Sequence, residues 1–70
     1  MKYDVDSFGE NLKYYMRKWD ISSQELAEKL FVSLSTVTNW RKNKNIPATD
    51  SLLLLAEMLN VSLDELFKKR

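Results

Sequence analysis

The stretch from Ser22 to Asn43, SSQELAEKLFVSLSTVTNWRKN, decides how this 70-residue chain is read. It opens on a Ser-x-x-Glu box, Ser22 with Glu25, in which the serine oxygen accepts from an orphan amide of the first turn and the glutamate reaches back to the serine amide. Leu26, Ala27 and Leu30 then fall on one face, which predicts a helix from about Ser23 to Leu30. After a three-residue turn, Ser33 caps a second short helix. Val37 and Trp40, three apart, point that helix inward and leave Leu34, Ser35, Thr38 and Asn39 on the outside. Ala27 is small enough to let the second helix cross the first closely.

Outward from this pair, the same box recurs as Ser7 with Glu10 and as Ser62 with Glu65. Upstream, Phe8, Leu12, Tyr15, Met16 and Trp19 form an amphipathic stripe that predicts a helix over roughly 8 to 19. Downstream, Pro47 sets up a helix from about Thr49 or Asp50 to Leu59, with Leu52, Leu55, Ala56 and Leu59 inward and Asn60 as a left-handed stop. The last box opens a short fifth helix with Leu63, Leu66 and Phe67 inward, ending in Lys68, Lys69 and Arg70, which suit the negative end of its dipole. The expectation is one all-α domain over residues 1–70, a compact five-helix bundle around one core.

Composition narrows the functions open to such a bundle. The chain has no Cys and no His, which removes disulfides, the usual zinc sites, thiol nucleophiles and Ser-His-Asp triads. Its carboxylates sit at helix starts or are scattered, so no enzyme, cofactor, metal or small-molecule ligand is expected. No apolar run approaches a membrane span or a secretory signal, which predicts a cytoplasmic protein with no membrane partner. The net charge is only +1, yet residues 29 to 49 hold Lys29, Arg41, Lys42 and Lys44 with no Asp or Glu, while the rest of the chain sums to −3. A local basic patch of this kind can seat a phosphate backbone without making the whole surface sticky.

Two short helices and a turn, the second with a polar, acid-free outer face and basic residues at its end, make a helix-turn-helix over residues 22–43, a device for laying a helix in the major groove of DNA. Leu34, Ser35, Thr38 and Asn39 are the candidate base readers. Asn39 can pair with adenine N6 and N7, Thr38 can hydrogen-bond or pack its methyl, and Leu34 can cover a thymine methyl. Ser22, Ser23 and Ser33 at helix starts, with Arg41, Lys42, Asn43 and Lys44 beyond the second helix, are candidate phosphate contacts. Each assignment has a plainer counterpart: a serine capping only its own helix, a solvated lysine run, an ordinary polar surface.

From Phe8 to Phe67 the residues resemble the Cro/phage-repressor type of helix-turn-helix, the XRE family. The likeness rests on ISSQELAEKLFVSLSTVTNW, on the polar loop leading to Pro47, and on LLLLAEMLNVSLDELF. It implies a lambda-repressor-like fold, double-stranded DNA as partner, a homodimer on paired half-sites, and a transcriptional regulator, with repression as the expected sense. Three departures stand out. Phe31 occupies the turn position where the family usually has glycine, and a bulky residue at positive φ costs on the order of 1 to 2 kcal/mol. Ser23 replaces a usual phosphate-binding glutamine. A frequent Arg–Glu pair between the first and third helices falls on Met16 and Arg41, so it is absent. The rival expectation is a protein-interaction module, such as an antitoxin or adaptor, presenting Leu34, Phe31 and Leu54. Leu54 is either an isolated exposed leucine, the plainer reading, or part of a subunit interface with Met58 or Phe67.

Overall fold

A computed structural model describes residues 2–70, and within them the chain forms five α-helices: α1 (Phe8–Lys18), α2 (Ser23–Leu30), α3 (Leu34–Arg41), α4 (Thr49–Met58) and α5 (Leu63–Phe67). A 3-10 turn, Val5–Ser7, leads into α1. The apolar stripes converge on one core in which Phe8, Leu12, Leu26, Val37, Leu55, Leu59 and Leu66 are completely buried. α3 packs against both α1 and α2, so the reading helix is braced from two sides.

The joints between helices follow one recipe. Three helices end on a residue in the left-handed conformation, followed by an apolar residue packed on the core, followed by a serine that caps the next helix. The triplets are Asp20-Ile21-Ser22, Phe31-Val32-Ser33 and Asn60-Val61-Ser62. In each, the apolar residue's amide reaches back to close a Schellman motif: Ile21 to Met16 (2.8 Å), Val32 to Ala27 (3.0 Å) and Val61 to Ala56 (3.0 Å). Asn43 ends α3 in the same way, with the Lys44 amide on the Asn39 carbonyl at 2.9 Å. None of these four positive-φ residues is glycine.

The chain's single glycine, Gly9, lies inside α1 for a different reason. A Cβ there would stand 2.5 Å from the Arg41 carbonyl oxygen, so glycine is what lets the start of α1 touch the end of α3.

Several expectations change. The Ser7–Glu10 box does not form: the 3-10 turn already carries Ser7 in a helical conformation, so its hydroxyl accepts instead from the Arg70 amide (3.2 Å). Glu10 turns to Lys13 at 2.9 Å, and that exposed hydrogen-bonded pairing holds its carboxyl below the usual range. At Ser62 only the serine half of the box is present, because the Glu65 carboxylate accepts from the Tyr15 hydroxyl (2.8 Å) and holds that phenol above its ordinary range. Trp19 lies just past α1 and is nearly half exposed, with the Lys18 ammonium over its ring, and Leu63 faces outward while Leu66 turns in.

The two ends of the described chain also meet. Tyr3 and Lys68 form an antiparallel bridge, flanked by Asp4 to Phe67 and Lys69 to Lys2 backbone bonds of 2.8 Å each. Asn11 is almost fully buried, and its amide nitrogen donates to the Leu66 and Lys68 carbonyls (2.9 and 2.8 Å) while its oxygen accepts from Arg70. Tyr14, whose place in the sequence suggests no task, lies under the Arg70 guanidinium.

Candidate nucleic-acid interface

The geometry of α3 follows from which two residues it buries. Val37 and Trp40 are fully or nearly fully buried, so the opposite side carries Leu34, which is 48% exposed, and Ser35, also exposed. Thr38 and Asn39 lie half-buried one turn further on. Ser33 caps the helix: its hydroxyl accepts from the Thr36 amide at 3.1 Å and shares a 2.8 Å bond with the Thr36 hydroxyl. The four candidate readers therefore lie on a helix fixed at both ends.

At its far end, the Lys42 amide bonds to the Thr38 carbonyl (3.0 Å) and the Lys44 amide to the Asn39 carbonyl (2.9 Å). Lys42 and Lys44 are exposed beyond this tightly wound turn. Asn43, between them, is different. Its side-chain oxygen accepts from the Gly9 amide at 2.6 Å and its nitrogen donates to the Val5 carbonyl at 3.0 Å, so it ties the loop to the start of α1. Those internal bonds give Asn43 a structural role that its place among charged neighbours does not reveal.

Arg41 also makes an internal contact. Its guanidinium crosses to α2 and donates to the Ser23 hydroxyl at 3.0 Å, while its Nε is buried with no hydrogen-bond partner. The two residues border a cavity of about 490 Å³, whose walls also include Lys13, Met16, Arg17 and Ser22. Met16 and Arg41 thus line the same cavity, and the half-buried guanidinium has no carboxylate within ion-pairing distance among the described residues. Ser22 is occupied by a complete capping box with Glu25, both bonds at 3.1 Å. The positive end of α2 and three cations therefore border one cleft, in which Asp20 and Glu25 are the acidic wall residues. Lys13 and Arg17 belong to this cleft, a role that their four-residue spacing on α1 permits but does not by itself reveal.

The remaining expected contacts are scattered. Leu54 is half exposed beside Leu53, whereas Met58 and Phe67 pack partly against the core, Phe67 with its ring centroid 5.2 Å from that of Phe8. Phe31 is 93% exposed in the turn before α3.

A helix pair of this geometry, with a buried crossing and an acid-free outer face, defines the helix-turn-helix class. The family model described as "Helix-turn-helix" matches residues 12–66, and the chain belongs to that family, in its XRE-type form. It is 39% identical over 65 residues to an uncharacterized HTH-type transcriptional regulator of Haemophilus influenzae, an alignment covering 91% of this chain and 27% of that protein. It is 36% identical over 63 residues to the HTH-type transcriptional regulator ImmR of Bacillus subtilis, covering 90% and 50%. Identity to the HTH-type transcriptional activator BcrR of Enterococcus faecalis is 30% over 59 residues, covering 84% and 29%. The chain thus spans half or less of the length of these relatives. No solved structure matches it significantly.

Proposed function

We propose that this chain is the sequence-specific, double-stranded DNA-binding domain of a transcriptional regulator, with α3 in the major groove. The observation that carries the reading is the outer face of α3: Leu34, Ser35, Thr38 and Asn39 stand together on a helix without carboxylates, while Val37 and Trp40 hold it to the core. Asn39 is the adenine reader, Thr38 and Ser35 supply adaptable hydroxyls, and Leu34 meets thymine methyls. Lys42 and Lys44 hold the phosphates on one side of the groove. Ser22, Ser23 and Arg41, with Lys13 and Arg17 behind them, hold a phosphate at the start of α2, which gives the uncompensated guanidinium its counter-charge. Ser33, occupied by its own helix, contributes to backbone binding only through its place at the start of α3.

Eight residues of α3 extend about 12 Å, enough to cover only a few base pairs. The chain therefore works as a homodimer on half-sites about 10 bp apart. We place it in the cytoplasm; among the described residues no helix is long and apolar enough to cross a membrane. Catalysis, cofactors and small-molecule ligands have no part in this reading. Repression is the expected sense, because occupying an operator is sufficient to exclude another protein, although one relative carries the name of an activator.

Selection of sites from random duplexes tests the proposal. A recovered two-fold symmetric site supports it, and failure to enrich any sequence refutes it. On the selected site, Asn39→Ala is expected to cost about 1 to 3 kcal/mol while leaving non-specific affinity unchanged. Equal losses on every sequence would remove Asn39 from the readers. Replacing Lys42 and Lys44 together by alanine should flatten the slope of log affinity against log salt by about 1.8 per half-site, or about 0.9 for each phosphate left without its lysine. An unchanged slope would return both lysines to plain solvation.

A further inference from the structure

We propose that Phe31 is a second apolar reader of the DNA, its ring packing against thymine 5-methyl groups beside the bases met by Leu34. This rests on the DNA-binding reading above and adds to it a specificity-determining residue outside α3. Among the described residues four non-glycine positions hold a left-handed backbone at a helix end: Asp20, Asn43, Asn60 and Phe31, the last at φ 57°. Asp and Asn tolerate that conformation, but a bulky aromatic residue is disfavoured there. The fold gains nothing from the ring in return. It is the most exposed large apolar side chain among the described residues, 93% accessible, while the packing of that joint is done by its neighbour Val32. A residue that is strained by its backbone and unused by the core is explained by something it meets outside the protein.

Its surroundings say what that is. Lys29 lies two residues before it, and no acidic residue occurs from 29 to 49. Glu28, three residues before it, accepts from Gln24 along α2. An aromatic ring that opens a basic, acid-free stretch of chain fits a polyanion with apolar groups in its groove, which describes thymine-bearing DNA. Reach is sufficient as well: Phe31 lies three positions before Leu34, at most about 10 Å of chain, or roughly three base steps of 3.4 Å.

The test uses the duplex selected by the wild-type chain, with each thymine replaced singly by deoxyuridine, which lacks only the 5-methyl group. The variant is Phe31→Asn, the residue type the chain already uses at two of its left-handed joints, so folding is retained and the melting temperature should rise. The wild-type chain is expected to lose about fourfold in affinity for each methyl that Phe31 covers. The variant should be indifferent at those positions and keep the losses at positions met by Leu34. Identical deoxyuridine profiles for both proteins, or a uniform loss by the variant on all duplexes, would overturn the assignment while leaving DNA binding intact. Unchanged DNA binding by Phe31→Asn would likewise overturn it and point to a protein partner for the ring. Absence of any duplex binding by the wild-type chain would overturn both this inference and the reading on which it rests.

Discussion

Gly9→Ala is expected to lower the melting temperature by roughly 5 to 15 °C. The added methyl would lie 2.5 Å from the Arg41 carbonyl oxygen and 3.1 Å from its carbon, both backbone atoms that cannot swing aside. Alanine brings a gain in helix propensity of up to about 1 kcal/mol, which relief of steric overlap must exceed if the variant is to be destabilised. It does, because separating α1 from α3 also loosens Phe8 and Leu12 against Val37 and Trp40, and overpacking of a close-packed junction costs about 1 to 3 kcal/mol, occasionally more. A net loss of about 1 to 2 kcal/mol is a large part of what a core of this size supplies. Thermal unfolding followed by circular dichroism reads the effect. A melting temperature equal to or above that of the parent would mean that α1 and α3 have room for a methyl group between them.

The contact at Gly9 also shows which features of the chain are open to inspection of its sequence and which are not. Periodicity locates all five helices, because each buried stripe is carried by apolar residues at helical spacing, Phe8, Leu12, Tyr15 and Met16 in α1 and Leu55 and Ala56 in α4. But α5 stops at Phe67, and Lys68, expected in its last turn, is extended and pairs with Tyr3 instead. The outer face of α3 follows from the inward placement of Val37 and Trp40. What spacing does not reveal depends on contacts distant in sequence. Ser7 looks like a cap and serves Arg70; Asn43 looks like a member of a basic loop and binds Gly9 and Val5; Arg41 looks like its neighbours and turns to Ser23. The joints are legible in principle. Asp-Ile-Ser, Phe-Val-Ser and Asn-Val-Ser at 20–22, 31–33 and 60–62 repeat one pattern of left-handed residue, core-packing residue and helix cap. Glycine, the usual marker of such joints, is absent from all of them.

Asn43→Ala should destabilise the domain by about 2 to 4 kcal/mol while leaving the salt dependence of DNA binding as it was. Two terms add. Alanine at φ 62° is strained by on the order of 1 kcal/mol, and the Gly9 amide and Val5 carbonyl lose partners, the first in a partly buried place where water replaces it poorly. Asn43→Gly separates the terms, since it relieves the strain but removes the same hydrogen bonds, and it should recover roughly the first kilocalorie and no more. If Asn43 instead held a phosphate and its internal bonds counted for little, Asn43→Gly would keep the melting temperature and both variants would show a shallower salt slope. The asparagine also sets where Lys42 and Lys44 stand, because its side chain fixes the loop to α1 while the Lys44 amide fixes it to Asn39. Affinity should therefore fall in both variants through loss of positioning, by a factor that is the same at every salt concentration, which is the signature separating a residue that aims the phosphate contacts from one that makes them.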